Sequence, residues 1–191
     1  DKYGKNDYIY FEEDSSNKVY LIDKGKVKIG YYTERGDEIV QGILSRGEIF
    51  GEKAVLGEEN RNEFARSADK ETSICRVTST TMEELIKSNE TFSIKFYKFL
   101  GYRFQKLERR LKLLLFKDTK TRLLEFMYEL KEDFGHHCEM GTGDIIIKHP
   151  YTQSDIASLI GASRPTLNAL LNELKANETL TFKRREIRLR E

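Results

Sequence analysis

Short runs of branched and aromatic residues alternate with polar turns in the first half of the chain. Three runs have the composition of strands, at residues 19–22, 26–29 and 38–44. Glycine-containing turns follow these runs in order, at Gly25, Gly36 and Gly47. Closely spaced strands of this length predict a small β-barrel or β-roll over residues 1–88.

The periodicity changes in residues 89–117, where apolar residues recur at alternating spacings of four and three. This is the spacing of a coiled-coil seam, and its positions are Ser93, Tyr97, Leu100, Phe104, Leu107, Leu111 and Leu114. The pattern predicts one long helix that pairs with a second subunit. A helix buried within a monomer is the alternative, although the basic residues of 101–117 make burial on every side costly.

A second apolar stripe lies on another face of the same helix. Its members are Phe92, Phe96, Phe99, Leu113 and Phe116. We expect this stripe to cover the β domain, while the seam faces the second subunit.

The last segment, residues 118–191, has the element order of a winged helix. Asp118 or Thr119 can cap a helix that ends near Gly135. Further elements follow in order: a strand at 144–148, a helix pair within 153–172 and a hairpin at 179–189. Helix, strand, two helices and hairpin together predict a winged helix.

The helix pair has the signals of a helix-turn-helix, the motif that sets its second helix in the DNA major groove. Thr152 and Asp155 form a capping pair for the first helix, and Gly161 stands where the chain leaves it. Ser163 can cap the second helix, with Pro165 tolerated in its first turn. The buried side of that helix is predicted at Leu167, Leu170, Leu171 and Leu174. An ordinary two-helix turn is the alternative for this segment alone.

Charge is unevenly distributed along the 191 residues, although the net charge is only +1. Residues 1–100 carry 16 basic and 19 acidic side chains, whereas residues 101–191 carry 17 and 13. The C-terminal half is therefore the expected phosphate-facing part. Its end alternates basic residues with Ile187 and Leu189, which favours a strand with one basic face; a solvated charged tail is the alternative.

Cysteines and histidines indicate no cofactor site. The two cysteines, Cys75 and Cys138, lie far apart, which argues against a disulfide framework and fits a reducing cytoplasm. His136, His137 and Cys138, with His149 nearby, resemble a metal cluster, but adjacent ligands converge poorly on one ion. We expect an exposed loop there and no metal. No apolar run approaches the ~20 residues of a membrane span, so no membrane partner is expected.

The succession of β-roll, long helix and winged helix resembles the Crp/Fnr superfamily of bacterial transcription regulators. The motifs that carry the resemblance are Asp-Lys-Gly25-Lys-Val, Gly36-Asp37, Gly47-Glu-Ile-Phe-Gly51-Glu52 and Ile160-Gly-Ala-Ser-Arg-Pro-Thr166. The resemblance implies an α+β fold with three parts. These are an effector-sensing β-roll similar to a cyclic-nucleotide-binding domain at 1–88, a dimerisation helix at 89–117 and a DNA-binding winged helix-turn-helix at 118–191.

The sequence departs from the cyclic-AMP-binding members in the effector site. In those members a pair like Gly51-Glu52 is followed ten residues later by an Arg-Ser pair that grips the cyclic phosphate. Asn62 and Glu63 hold those places here, with Arg61 one position away. A carboxylate repels a phosphate, so we expect an effector other than cyclic AMP, of unknown identity.

Two helix positions depart from the family pattern as well. Leu107 and Glu108 stand where the cyclic-AMP-binding members contact the purine with short hydroxyl residues. The pocket candidates implied by the resemblance are Gly51, Glu52, Arg61, Asn62, Glu63, Leu107 and Glu108. Glu52 is alternatively a structural carboxylate bonded to loop amides.

Redox cofactors have no support in the residues. Iron–sulfur members place several cysteines near the N-terminus, and residues 1–74 contain none. Cysteines in a segment preceding Asp1 would change this conclusion. Haem-binding members need axial ligands, and the β domain contains no histidine. Met82 and Cys75 are expected in the core instead.

The resemblance assigns the DNA contacts to the second helix of the motif and to the wing. Arg164 matches an arginine that grips guanine, whose O6 and N7 a guanidinium can bond together for about 1–3 kcal/mol of discrimination; a structural salt bridge is the alternative. Asn168 is expected to read adenine or bond a phosphate. Pro165 and Ala169 stand where cyclic-AMP-binding members carry base-reading Glu and Arg, so a different half-site is expected. Phosphate contacts are assigned to Gln153, Ser163, Thr166, Lys183, Arg184 and Arg185.

These features predict a homodimer on an inverted repeat of double-stranded DNA, with half-sites one helical turn apart. RNA polymerase is a further partner if the protein is an activator. A protein-interaction module without DNA binding is the alternative, against which Arg164 and the basic wing argue. No nucleophile–base pair, phosphate-cradling loop or zinc spacing supports an enzyme.

Overall fold

The structure, a computed structural model, describes residues 1–137, 144–177, 180–183 and 185–189. The chain divides into two compact units, Asp1–Leu107 and Glu108–Glu191. The division falls within the long helix, so that helix contributes residues to both units.

Two four-stranded antiparallel sheets build the β-roll of the first unit. The strands are β1 Lys2–Tyr3, β2 Tyr8–Tyr10, β3 Lys18–Lys24, β4 Val27–Tyr32, β5 Glu38–Leu44, β6 Ile49–Phe50, β7 Phe64–Ser67 and β8 Thr72–Thr78. One sheet has the order β1-β8-β3-β6 and the other β2-β7-β4-β5. The three runs predicted as strands are β3, β4 and β5. Gly25, Gly36 and Gly47 all have positive φ, which confirms the turns predicted there.

Strand alternation decides which side chains enter the core of the roll. The Tyr20 and Phe50 rings stack inside it with centroids 4.9 Å apart. In β8, Ile74 is buried in the same cluster, whereas the next residue, Cys75, faces outward and is exposed. The expectation that Cys75 is a core residue is therefore wrong, while Met82 is buried as expected.

Three helices accompany the strands: a short 3-10 helix at Glu52–Leu56, α1 at Ser79–Ser88 and α2 at Glu90–Phe116. The first two lie in the segment predicted as all-β. α1 begins after Thr78, whose side-chain oxygen accepts the backbone N–H of Thr81 at 3.1 Å. Met82 of α1 packs against Val19 of β3, which fixes the helix to the sheet.

The long helix α2 confirms the helix predicted at 89–117. Phe96 is buried, and Phe92 lies beside it against the cluster that contains Val19 and Met82. This part of the second stripe covers the β-roll as expected. Phe116 is 77% exposed, so its assignment to the covering stripe is wrong: α2 ends at this residue and its ring lies in solvent.

The second unit has the element order of a winged helix. Its elements after α2 are α3 Thr119–Phe134, β9 Gly135–His137, β10 Ile145–Lys148, α4 Gln153–Leu159, α5 Arg164–Ala176, β11 Leu180–Lys183 and β12 Glu186–Leu189. The strands form one antiparallel sheet in the order β11-β12-β10-β9. Asp118 is the cap of α3, because its carboxylate accepts the N–H of Thr121 at 2.7 Å.

His136 is exposed as expected, but it belongs to a strand and not to a loop. His136 lies in β9, paired with Ile146 of β10. His149 is only 3% exposed. Its backbone N–H donates to Arg185 O at 3.1 Å, which joins it to the wing hairpin, and its ring lies near that of Tyr151. Cys138 lies outside the described residues. Within the described ranges no three His, Cys, Asp or Glu side chains are grouped as metal ligands would be.

None of the helices among the described residues is long and apolar enough to cross a bilayer.

Candidate functional site

The helix-turn-helix is held by the local signals that predicted it. Thr152 Oγ1 accepts the N–H of Asp155 at 3.2 Å, and the Asp155 carboxylate accepts the N–H of Thr152 at 2.8 Å. This reciprocal capping box starts α4. Gly161 leaves α4 with a φ of 62°, and Ser163 Oγ accepts the N–H of Thr166 at the start of α5. α4 therefore begins and ends, and α5 begins, where the sequence predicts.

Apolar packing between the two helices fixes which face of α5 remains free. Leu167 is fully buried, as are Ile156 and Ile160 of the preceding helix and its cap. Leu171 and Leu174 continue the buried side, whereas the predicted Leu170 is only half-buried. The opposite face of α5 is thereby turned outward as a rigid surface.

The exposed first turn of α5 and its outward face carry the residues expected to contact DNA. Arg164, Pro165, Thr166 and Ala169 are exposed, and Asn168 is half-buried. Among the residues that the structure describes, none forms an ion pair with Arg164, so the alternative of a structural salt bridge finds no partner there. Its guanidinium is available to a ligand at the exposed N-terminal end of α5.

The hydroxyl groups of Ser163 and Thr166 at the start of α5 stabilise the helix N-terminus. The Ser163 and Thr166 hydroxyls lie 2.8 Å apart and hydrogen bond to each other. Gln153 is half-buried at the first position of α4. These side chains lie at the two helix N-termini, where backbone N–H groups favour an anion.

The wing is the hairpin of β11 and β12, in which Lys183 pairs with Glu186. Lys183 and Arg185 are exposed. Ile187 is buried and Arg188 is exposed, so the predicted alternation of an apolar and a basic face is confirmed. Arg184, predicted as a wing contact, lies outside the described residues.

The pocket candidates of the first unit include a buried guanidinium. Arg61 is 3% exposed; it donates from Nη1 to Gly51 O at 3.1 Å and from Nη2 to Lys18 O at 2.5 Å. Its guanidinium also lies 4.5 Å from the centroid of the Tyr10 ring. Arg61 therefore fastens the loop that begins at Gly51 to β3.

Glu63, which the resemblance was expected to place at a phosphate-binding position of the cyclic-AMP-binding members, is buried. Its carboxylate accepts the Tyr10 hydroxyl at 3.0 Å and Lys53 Nζ at 2.7 Å. Lys53 also donates to Asn62 Oδ1 at 2.9 Å. Burial and the adjacent Glu63 raise the pKa of the Tyr10 phenol well above its usual value, against an opposing effect of Arg61, so Tyr10 stays a donor.

Glu52 makes a contact that the sequence did not indicate. Its Oε1 accepts Nη1 of Arg103 on α2 at 2.7 Å. The sequence left two interpretations of Glu52, a pocket residue or a structural carboxylate bonded to loop amides. The structure shows an ion pair with the long helix in place of the bonds to loop amides. Arg103 was missed because residues 51 positions apart share no local pattern.

The remaining pocket candidates and the seam lie on the outer face of α2. Leu107 and Glu108 are exposed in the single chain. The most exposed positions of the seam are 47–64% exposed, namely Tyr97, Phe104, Leu107, Leu111 and Leu114, whereas Leu100 is half-buried. A row of large apolar side chains thus remains uncovered within one subunit.

Two family models match the chain. Residues 1–89 match the model of the cyclic nucleotide-binding domain, and residues 121–191 match that of the Crp-like helix-turn-helix domain.

Curated proteins that match this chain over most of their length are transcription regulators. The global nitrogen regulator of Nostoc sp. (strain PCC 7120) is 28% identical over 185 residues, which are 96% of this chain and 81% of the relative. The CRP-like cAMP-activated global transcriptional regulator of Mycobacterium tuberculosis is 28% identical over 168 residues, 85% of this chain and 71% of that protein.

Solved structures share the whole architecture. FixK2 from Bradyrhizobium japonicum has a TM-score of 0.83 at 20% identity, covering 100% of this chain and 91% of that chain. A CooA mutant from Carboxydothermus hydrogenoformans has a TM-score of 0.83 at 25% identity and covers 100% and 83%. The fold predicted from the sequence is confirmed by these likenesses.

Proposed function

Because the chain belongs to the Crp/Fnr superfamily of transcription regulators, a family without enzymatic activity, we propose that it acts as a homodimer on an inverted repeat of DNA. In this proposal an effector other than cyclic AMP controls the dimer. Residues 1–88 sense the effector, residues 89–117 form the dimer contact, and residues 118–191 bind DNA.

The single observation that carries the proposed reading of bases is the exposed Arg164 at the capped start of α5. Leu167, one turn further along α5, is buried and anchors the helix, so Arg164 projects from the exposed first turn of a rigid support. Its planar fork suits O6 and N7 of guanine. Asn168, Pro165 and Ala169 then shape the rest of the half-site, and the hydroxyls of Ser163 and Thr166 face the phosphates.

In vitro selection from random duplexes tests this proposal, with wild type, Arg164→Ala and Lys183→Ala side by side. The wild type should enrich a guanine-containing inverted repeat. Arg164→Ala should lose about 5- to 150-fold in affinity and relax the sequence at that guanine, which corresponds to about 1–3 kcal/mol. Lys183→Ala is the matched control, because loss of a phosphate contact weakens all sequences alike and lowers the salt dependence.

Unchanged affinity and sequence preference in Arg164→Ala would contradict the assignment of Arg164. If the wild type enriches no sequence, the selection is repeated with cell extract, which supplies an effector. Continued absence of enrichment would favour the protein-interaction module instead.

The proposed homodimer is supported by the uncovered apolar seam of α2. A two-fold pairing of such helices would present two recognition helices about 34 Å apart, one helical turn of DNA. RNA polymerase is the further partner if the protein activates transcription.

The proposed exclusion of cyclic AMP is supported by the charges around Glu63. A cyclic phosphate placed beside Asn62 and Glu63 would meet a buried carboxylate, and Arg61 already donates to two backbone carbonyls. Isothermal titration calorimetry with cyclic AMP should therefore give no binding at micromolar ligand. A micromolar dissociation constant would overturn this part of the proposal.

A further inference from the structure

The first turn of α3 contains an arginine, Arg122, whose three guanidinium nitrogens each donate to a protein oxygen. Arg122 donates from Nε to Ile160 O at 2.7 Å and from Nη1 to Lys117 O at 2.8 Å. Its Nη2 donates to Gly161 O and Thr119 Oγ1, both at 3.2 Å. One side chain thus joins the end of α2 to the turn of the helix-turn-helix.

These acceptors lie at two helix ends. Ile160 is the C-cap of α4, and Lys117 directly follows the last residue of α2. Carbonyls at helix C-termini lack intrahelical donors and favour a cation. A guanidinium can bond several of them at once because its donors are spread over a rigid plane, which the single ammonium group of a lysine cannot match.

A close apolar contact accompanies this arginine. A Cβ atom built on Gly161 would lie 2.7 Å from Cδ2 of Leu114, so the turn sits directly against the last turns of α2. Leu114, Arg122, Phe126 and Ile160 line one cleft of the second unit. All these residues belong to the unit Glu108–Glu191, so the contact is internal to one compact body.

We propose that Arg122 is a positioning residue for DNA binding, which fixes the recognition helix relative to the end of the dimerisation helix. The inference rests on the proposed function, in which the seam that includes Leu114 pairs two subunits. Arg122 then sets the separation of the two recognition helices, and through it the spacing of half-sites that the dimer accepts. Because each guanidinium nitrogen already donates to a protein oxygen, the role of Arg122 in this inference is to position the helix and not to contact phosphate.

The test uses the full chain and the half-site that selection yields for the wild type. Affinities are measured for a single half-site and for inverted repeats at the selected spacing and at spacings one and two base pairs longer or shorter. Arg122→Met removes the bonds and the charge, Arg122→Lys keeps the charge alone, and Lys117→Met is the control, because it removes a charge at the same junction but keeps the carbonyl.

Arg122→Met should lose about tenfold or more at the selected spacing, the size of one or two charge-assisted hydrogen bonds. Its affinity for a single half-site should stay within about twofold of wild type, so its preference among spacings should flatten. Arg122→Lys should lie between Arg122→Met and wild type, and Lys117→Met should keep the spacing preference.

An equal loss on the half-site and on every repeat would show a role in local folding only and would overturn the inference. So would a spacing preference in Arg122→Met as sharp as that of the wild type. Should Arg122→Met fail to fold, Arg122→Lys decides alone, with thermal unfolding as the check. A wild type without any preference for inverted repeats would overturn the proposed function itself, and this inference with it.

Discussion

Arg103 and Glu52 form an ion pair between residues 51 positions apart, with 2.7 Å between Nη1 and Oε1. Glu52 is buried, and the Arg103 side chain is 34% exposed. The pair joins the loop after β6 to the long helix within the first unit. The Arg103 guanidinium also lies 5.7 Å from the centroid of the Phe99 ring on the same helix.

Arg103→Met should lower the free energy of unfolding by about 1–3 kcal/mol, because it leaves the buried Glu52 carboxylate without its cation. Urea unfolding followed by circular dichroism measures the change. Lys98→Met alters an exposed residue of the same helix and should stay within about 0.5 kcal/mol of wild type. Adding Glu52→Gln to Arg103→Met should restore part of the loss; a double variant no more stable than the single one would contradict the pairing.

His149 should make stability depend on pH. Burial, then the charge of Arg185, lower its pKa from 6.5 to about 4, against a smaller opposing effect of the Tyr151 backbone. The unfolded chain therefore takes up this proton first, so the contribution is complete above pH 6.5 and is lost as the pH falls towards 4. At 1.36 kcal/mol per pH unit the loss by pH 4.5 is about 2–3 kcal/mol.

Urea unfolding at pH 7 and pH 4.5 measures this loss. Carboxylates also titrate between these pH values, so the wild type is compared with variants that lack one histidine. His149→Phe should unfold with a smaller difference between the two pH values than wild type. His136→Gln, which alters an exposed histidine, should keep the wild-type difference. Equal pH dependence in wild type and His149→Phe would argue against a buried neutral imidazole.

Gly161→Ala should destabilise the second unit by about 1–3 kcal/mol, because a Cβ atom meets Leu114 and φ lies in the left-handed region. Gly101→Ala is the matched control: nothing lies within 4 Å of its Cβ position in α2, and alanine should be neutral or stabilise the helix by up to about 1 kcal/mol. Thermal unfolding compares the two. A loss in Gly161→Ala no larger than in the control would contradict the close contact.

Leu111→Lys should convert the proposed dimer to a monomer, because it places a charge in the seam. Tyr102→Lys is matched to it: both residues are 56% exposed in the single chain, but Tyr102 lies on the face of α2 away from the seam. Sedimentation velocity should find a monomer only for Leu111→Lys. A dimer that survives Leu111→Lys would place the subunit contact elsewhere.

The local motifs were the most predictable part of the molecule. Thr152, Gly161 and Ser163 act on backbone groups within four residues of themselves, so their sequence positions alone indicate where α4 ends and α5 begins. Branched runs between turn glycines likewise predicted β3, β4 and β5.

Two of the wrong expectations, those for Cys75 and His149, share a cause. Cys75 was expected inside because cysteine is a buried residue type, but strand alternation puts it on the outer face. His149 was expected outside, but the wing hairpin lies against it. In both cases burial depends on which element packs over the residue, and composition does not contain that information.

The sequence by itself determined three strands of the β-roll, the long helix, the element order of the winged helix and the exposed first turn of α5, because hydrophobic period, caps and turn residues act over a few neighbouring positions. Only the tertiary structure decided that Arg103 holds Glu52 and that Arg122 holds Ile160, since each pair joins distant segments. The energy of such contacts comes from bringing charges and orphan carbonyls together out of water, and that requires the folded chain.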